Sequence, residues 1–185
     1  MTGTRVGDQL ESAVGRPTFD ELYRQHALTV ARWAARLGKP WLDPEDVTHD
    51  VFLKVQRSLP TLDALADAEA WLYAITVNVV RTRRRVERFR RWFQRPETEG
   101  QRVPATSASA VEHLERRDAE RLVLDAMQTL SDRDREVLVL FELEGRSGQE
   151  VSRLMGAPVD RIWVWLFRAR QRFARAVEAL ERSSP

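Results

Sequence analysis

The chain of 185 residues contains no cysteine. Disulfides, thiolate metal centres and a cysteine nucleophile are therefore excluded, and a reducing compartment fits. Lysine is nearly missing as well: of the 30 basic residues, all but Lys39 and Lys54 are arginine. A GC-rich coding sequence is one source of such a bias. Chemically, arginine suits forked contacts to phosphates and guanine edges. The three histidines, His26, His49 and His113, are scattered without metal-ligand spacing. There is no glycine-rich phosphate loop and no nucleophile elbow. Each carboxylate is accounted for by a helix cap or a solvated face. The expectation is a non-enzyme with no catalytic residue, metal or cofactor. No apolar run approaches the roughly 18 residues needed to cross a bilayer. Residues 1–17 lack the apolar core of a signal peptide. A cytoplasmic protein without membrane insertion is expected. Strand-type alternation and long-period repeats are also lacking.

What is present is helix punctuation. Thr18 and Glu21 form a capping box, followed by Phe19, Leu22, Tyr23, His26, Val30, Trp33 and Leu37 at helical spacing. Gly38 and Pro40 end that helix. Asp43-Pro44-Glu45-Asp46 opens a second, with Val47, Val51, Val55 and Leu59 as its stripe and Pro60 as its stop. After a loop at 60–66, Asp67 caps a third helix through Trp71, Leu72, Ile75 and Val79. Residues 96–109 are rich in Pro, Ser, Thr and Gly without apolar period, which reads as a flexible linker. Ser109 with Glu112, Ser131 with Asp134, and Ser147 with Glu150 open three further helices. Gly145 and Gly156 close the last two of these, and a final helix starts near Val159 or Asp160. The predicted class is all-α. A loose tail (1–17) precedes one helical domain (18–95); the linker (96–109) then leads to a second (110–182).

Two stretches carry chemistry. Residues 81–95, RTRRRVERFRRWFQR, hold eight arginines against Glu87, interleaved with Phe89, Trp92 and Phe93. Positive charge plus aromatic faces is how proteins hold strand-separated nucleic acid. A solvated helix end favoured by the helix dipole is the alternative. From Leu130 to Arg170, short capped helices and a turn at Gly156 lay out a helix-turn-helix, which places its second helix in a DNA groove. On that helix Ile162, Leu166, Ala169 and Phe173 share the core face. Trp163, Val164, Phe167, Arg168 and Gln171 point away, flanked by Arg161 and Arg172. Trp163 and Phe167 are bulky apolar residues on an outward face. Burial by another domain, contact with thymine methyls, and masking by a partner protein all remain open.

In order and spacing, five segments resemble bacterial RNA polymerase sigma factors of the extracytoplasmic-function (ECF) type. They are FDELYRQH, DPEDVTHDVFLKVQRSL, AWLYAITVNVVRTRRRVERF, LSDRDREVLVLFELEG and SGQEVSRLMGAPVDRIWVWLFRAR. The resemblance implies that 18–95 is sigma region 2 and 110–182 sigma region 4. It implies core RNA polymerase and promoter DNA as partners, and adds an anti-sigma factor as a candidate inhibitor. It places Asp46, Asp50, Phe52, Leu53 and Gln56 on the helix that docks on the polymerase clamp. Trp71, Asn78, Arg81, Arg83, Arg84 and Arg85 would recognise and melt the minus-ten element, although Trp71 is equally well read as a core aromatic. Arg161, Trp163, Val164, Phe167 and Arg168 would meet the minus-thirty-five element. The chain departs from the family where Gly-Thr-Val-Arg-Ser-Arg is usual: it has Asp160, Arg161, Ile162, Trp163, Val164 and Trp165. Gly148 stands where an aromatic is common, and His49 where glutamine is. The implied function is a sigma factor that directs polymerase to promoters and melts them. A stand-alone helix-turn-helix repressor or activator explains 130–175 but leaves the first domain unused.

Overall fold

The computed structural model of the chain describes residues 17–61, 66–93 and 110–183, without the side chains of 61, 88–93 and 110–117. The expected tail, the linker, the Ser109–Glu112 cap, residues 62–65 of the loop and the side chains of Phe89, Trp92 and Phe93 lie outside the described residues. Among the described residues every regular element is helical, as the capping pattern predicts.

The first body comprises α1 (Phe19–Leu37), α2 (Pro44–Ser58), a 3₁₀ turn (Leu59–Thr61) and α3 (Ala68–Phe93). The predicted caps are in place. The Thr18 hydroxyl accepts from the Glu21 N–H at 3.3 Å, and the Glu21 carboxylate accepts from the Thr18 N–H at 2.8 Å. Asp43 accepts from the Glu45 N–H at 2.8 Å, and Asp67 from the Ala70 N–H at 2.9 Å. Each cap satisfies a helix-end donor that the helix itself cannot pair. The three apolar stripes then close on one another. Leu22, Val30, Trp33 and Leu37 of α1, Val47, Val51 and Val55 of α2, and Leu72, Tyr73, Val77 and Val80 of α3 are buried. The rings of Trp33 and Tyr73 meet edge to face at 5.1 Å.

The second body comprises α4 (Ala110–Thr129), α5 (Asp132–Leu138), α6 (Gly148–Met155) and α7 (Val159–Ser183). Ser131 accepts from the Asp134 N–H, and Ser147 and Glu150 form a reciprocal box. Hydrogen bonds from the Ser147 hydroxyl and backbone, then from Arg146, push the Glu150 carboxyl down to about 2. Gly156, at φ 62°, makes the left-handed turn between α6 and α7, where a β-carbon would be strained. One feature differs from the expected plain helix between Ser131 and Gly145. After Leu138 the backbone widens into a π-helical turn, Val139–Leu143, closed by the Glu144 N–H on the Val139 carbonyl at 2.9 Å. Arg36 of α1 donates to the Leu143 carbonyl at 2.8 Å, so the first body caps this turn. Spacing of apolar residues carries no sign of such a long-range cap.

Arg135 is the unusual interior residue, only 2% exposed. Its Nε and Nη2 donate to the Met127 carbonyl at 3.0 and 2.8 Å, and Nη2 also reaches Gln128 and Leu130 at 3.3 and 3.2 Å. One guanidinium thus satisfies the carbonyls left open where α4 ends. Burial pushes its pKa down to about 10, which keeps it charged at neutral pH. Arg135→Leu should therefore cost about 3 kcal/mol, because buried carbonyls lose their donor. Urea denaturation followed by helical circular dichroism tests this, and an unchanged midpoint would contradict the capping role.

Candidate polymerase and nucleic-acid interfaces

On α2, Val47, Val51 and Val55 face inward, and Phe52 is also buried. The Phe52 ring packs against Tyr23 at 4.8 Å and Phe19 at 6.1 Å. It therefore shapes the floor of a surface groove of about 450 Å³ rather than projecting from it. Phe19, Tyr23, His49, Leu53 and Gln56 line the same groove. Asp46 and Asp50 lie on another side of α2, where Arg83 of α3 binds both. Its Nε donates to Asp50 at 2.7 Å, and its Nη2 to the Asp46 backbone carbonyl at 3.2 Å. Of the five residues expected to dock, two thus belong to an ionic cluster with α3, and three to an apolar groove shared with α1. Tyr23, placed by its spacing in the α1 stripe, is instead 48% exposed and joins that groove. Its ring stacks on Phe19, one turn earlier, with centroids 6.1 Å apart.

On α3 the expected DNA-contacting residues separate. Trp71 is half-buried against the core. Asn78 and Arg85 are exposed and lie seven residues apart on one face. Arg81 grips Glu136 of the second body, with Nη2 at 2.7 and 3.0 Å from the two carboxylate oxygens. Arg84 pairs with Asp132. Both lie in a seam joining the two bodies. Further along it, Arg146 donates to Glu69 at 2.6 Å, Arg153 binds Glu69 at 2.6 Å and also Asp67, and Arg36 pairs with Glu144. The seam uses opposite polarity at its two ends. Arginines of α3 meet acids of α5, while acids at the start of α3 meet arginines around α6.

Burial raises the Glu136 carboxyl above its ordinary value, partly offset by Arg81. Tyr73, buried close by, is pushed well above the usual phenol range, chiefly by burial and secondly by Glu136. The Asp67 carboxyl is lowered, first by the Ala70 N–H and then by Arg153.

The helix-turn-helix follows the expected faces. Ile162, Leu166 and Ala169 are buried with Val137, Val151 and Leu154. Trp163, Val164 and Phe167 are 51%, 46% and 63% exposed. Arg161 and Arg168 are exposed and have no carboxylate within ion-pair reach among the described residues. Arg133 of α5, which sequence reasoning passed over, lies with its guanidinium 4.6 Å from the Trp165 ring centroid. It shares a shallow cleft with Arg161, Val164 and Arg168. The Gly148 departure acquires a reason: a β-carbon built there would lie 2.6 Å from the Trp163 ring. Gly148 thus leaves open the space that the Trp163 ring occupies.

Comparison with known proteins matches both bodies. The Sigma-70 region 2 family matches residues 22–90, and the Sigma-70, region 4 family matches residues 120–173. The chain is 34% identical over 176 residues to the ECF RNA polymerase sigma factor SigE of Mycolicibacterium smegmatis, covering 92% of this chain and 65% of SigE. It is 32% identical to the RNA polymerase sigma factor CarQ of Myxococcus xanthus, covering 75% of this chain and 76% of CarQ. The solved structure of CnrH in complex with the cytosolic domain of CnrY is similar at a TM-score of 0.59 and 26% identity. That match covers 87% of this chain and 88% of that one.

The seam should respond to salt and acid. Its pairs are partly exposed, so screening weakens them. Raising salt from about 0.1 to about 1 M shortens the screening length from roughly 10 to roughly 3 Å. The radius of gyration from X-ray scattering should rise while helical content holds. Asp67, with its folded pKa lowered, contributes stability that is full above its ordinary pKa and fades as pH falls through the depressed one. Glu136, with its folded pKa raised, takes up its proton at higher pH and releases Arg81 first. Carboxyl carbon shifts followed by NMR should show Glu136 titrating before Asp67; the reverse order would refute this assignment.

Proposed function

The chain belongs to the RNA polymerase sigma factors of the sigma-70 family, in their extracytoplasmic-function group, and from that membership we propose that it is a dissociable initiation subunit. It carries core RNA polymerase to a promoter with two separated elements and opens the downstream one. The observation that carries this reading is the presence, in order, of both a region 2 body and a region 4 body in one chain. A stand-alone helix-turn-helix regulator needs only the second.

The division of labour follows the chemistry of each surface. The α1/α2 groove, with Leu53 and Gln56 at its rim and Phe52 as its floor, takes an apolar side chain of the polymerase clamp. Asp46 and Asp50 supply the acidic border. Asn78 and Arg85 face outward on α3 for the displaced strand, joined by Arg81 and Arg84 once their carboxylate partners withdraw. Trp71 supports that surface from the core edge. Held strand contacts offset the unpairing cost when a base leaves the stack. The α7 helix enters the major groove of the upstream element with Arg161 and Arg168 toward phosphates or guanine. Tethering two modest DNA contacts on one chain raises their effective concentration for each other.

In the arrangement described, Glu136 and Asp132 occupy two arginines that this reading assigns to DNA. Phosphates compete with these carboxylates for the same guanidinium forks. The bodies must part before region 2 meets the promoter, which fits a factor that acts only on the polymerase. CnrH was solved with the cytosolic domain of CnrY, and a protein inhibitor of that kind is a candidate further partner here.

Run-off transcription with core polymerase on genomic fragments should yield discrete start sites that require this chain; absence of core binding would overturn the reading. Leu53→Asp with Gln56→Ala should lower core affinity about tenfold or more, the loss typical of a pocket-filling contact. Native-gel titration measures it, with circular dichroism confirming an intact fold.

A further inference from the structure

The geometry points to the Gly148–Trp163 pair as the specificity-determining element of this chain's upstream promoter contact: Gly148 seats the Trp163 indole as a fixed apolar plate that selects thymine methyl groups in the major groove. The inference rests on the sigma-factor reading and deepens it.

Trp163 is half exposed yet held on two sides. Its six-membered ring lies over Gly148 at the start of α6, where a β-carbon would come within 2.6 Å of Cζ2 and 3.2 Å of Cη2. Its other neighbour is the Phe141 ring in the π-helical turn, with centroids 5.3 Å apart and planes tilted by 44°. An indole with two such contacts cannot sweep freely, so its free face presents a constant shape. Val164 and Phe167 extend the plate along α7, each also exposed. The plate therefore belongs to the face of α7 that a helix-turn-helix turns toward DNA.

The neighbouring charge, Arg133, Arg161 and Arg168 against Asp160, favours nucleic acid. Arg161 and Arg168, without carboxylate partners among the described residues, lie together along one side of it on α7, and Asp160 stands at its N-terminal end. Arg133, stacked on Trp165, stands beside them in the same cleft. Unpaired arginines along one side of an apolar face match a phosphate strand beside a groove floor. In the major groove the apolar feature of a base pair is the thymine C5-methyl. An indole, a valine and a phenyl ring have no acceptor or forked donor for guanine or adenine edges. They gain free energy by removing a methyl group from water. One such methyl is worth about four-fold in affinity.

The test uses holoenzyme, formed from core polymerase and the full chain, on a duplex library randomised across the upstream element. The selected element should carry thymine at one or more fixed positions. Replacing one of those thymines by uracil removes only the methyl and should weaken promoter occupancy about four-fold. Trp163→Ala should bring the thymine-to-uracil ratio close to one while leaving core affinity unchanged. Gly148→Ala should do the same by displacing the indole, and the double variant should be no worse than Trp163→Ala alone. Trp163→Phe should keep part of the preference. A wild-type holoenzyme indifferent to uracil, or a ratio that survives Trp163→Ala, overturns the proposal and leaves the plate to a protein partner. That failure occurs with initiation intact, whereas a chain that does not bind core polymerase overturns the sigma-factor reading together with this inference.

Discussion

The guanidinium–carboxylate contact between the two helical bodies is the constraint on which the rest of this molecule depends. Arg81 and Arg84 of α3 end on Glu136 and Asp132, while Arg146 and Arg153 end on Glu69 and Asp67. The pairs of Arg84, Arg146 and Arg153 are rim contacts between partly hydrated groups, worth about 0–1 kcal/mol singly, while Glu136 meets Arg81 from a buried position. Together they fix orientation, because forked donors accept a carboxylate in few geometries. Lysine, a compact charge on a flexible stem, would hold the bodies with less directional demand. The near exclusion of lysine therefore bears on architecture as well as on DNA.

Local structure was legible in the sequence because its causes are local. Thr18, Asp43, Asp67, Ser131 and Ser147 all cap the helices they were expected to cap, each through an N–H two or three residues onward. The turn at Gly156 and the buried stripe of α7 follow from equally short-range rules. The seam was not legible, since its partners lie 48 to 86 residues apart along the chain in the pairs Arg84–Asp132 and Arg153–Asp67. A run of arginines looks uniform on the page. In the fold, Arg83 serves α2, Arg81 and Arg84 serve the second body, and Arg85 faces solvent. Arg135 was equally hidden: nothing in DRDRE distinguishes the arginine that caps α4 from Arg133, which lies on the surface.

The departures from the family pattern show a different limit. Read singly, Gly148 weakens a helix start and Trp163 stands where the family resemblance puts a polar residue toward DNA. Read together in space, each accounts for the other, since the glycine leaves the volume that the indole fills. The π-helical turn contributes the third wall through Phe141. Single-position comparison cannot find such compensation, because the two residues lie on different helices and meet only in the fold.

On the proposed function, Arg81 and Arg84 exchange carboxylate for phosphate partners, and the seam's chemistry bears on the cost of that exchange. Within the closed arrangement, Glu136 sits in an environment that disfavours its charge, yet Arg81 holds it there. Separating the bodies returns Glu136 to water, which recovers solvation and offsets part of the lost pairing. Under the proposed function, Arg81 exchanges a carboxylate for a phosphate, which its fork also accepts. The net cost of parting the bodies at this end is thus small by construction. At the other end, Asp67 keeps its N–H bond to Ala70 whether or not Arg153 is present, so α3 stays capped when α6 leaves. The seam can therefore be broken without unravelling either helix it joins, as a factor that must expose region 2 on the polymerase requires.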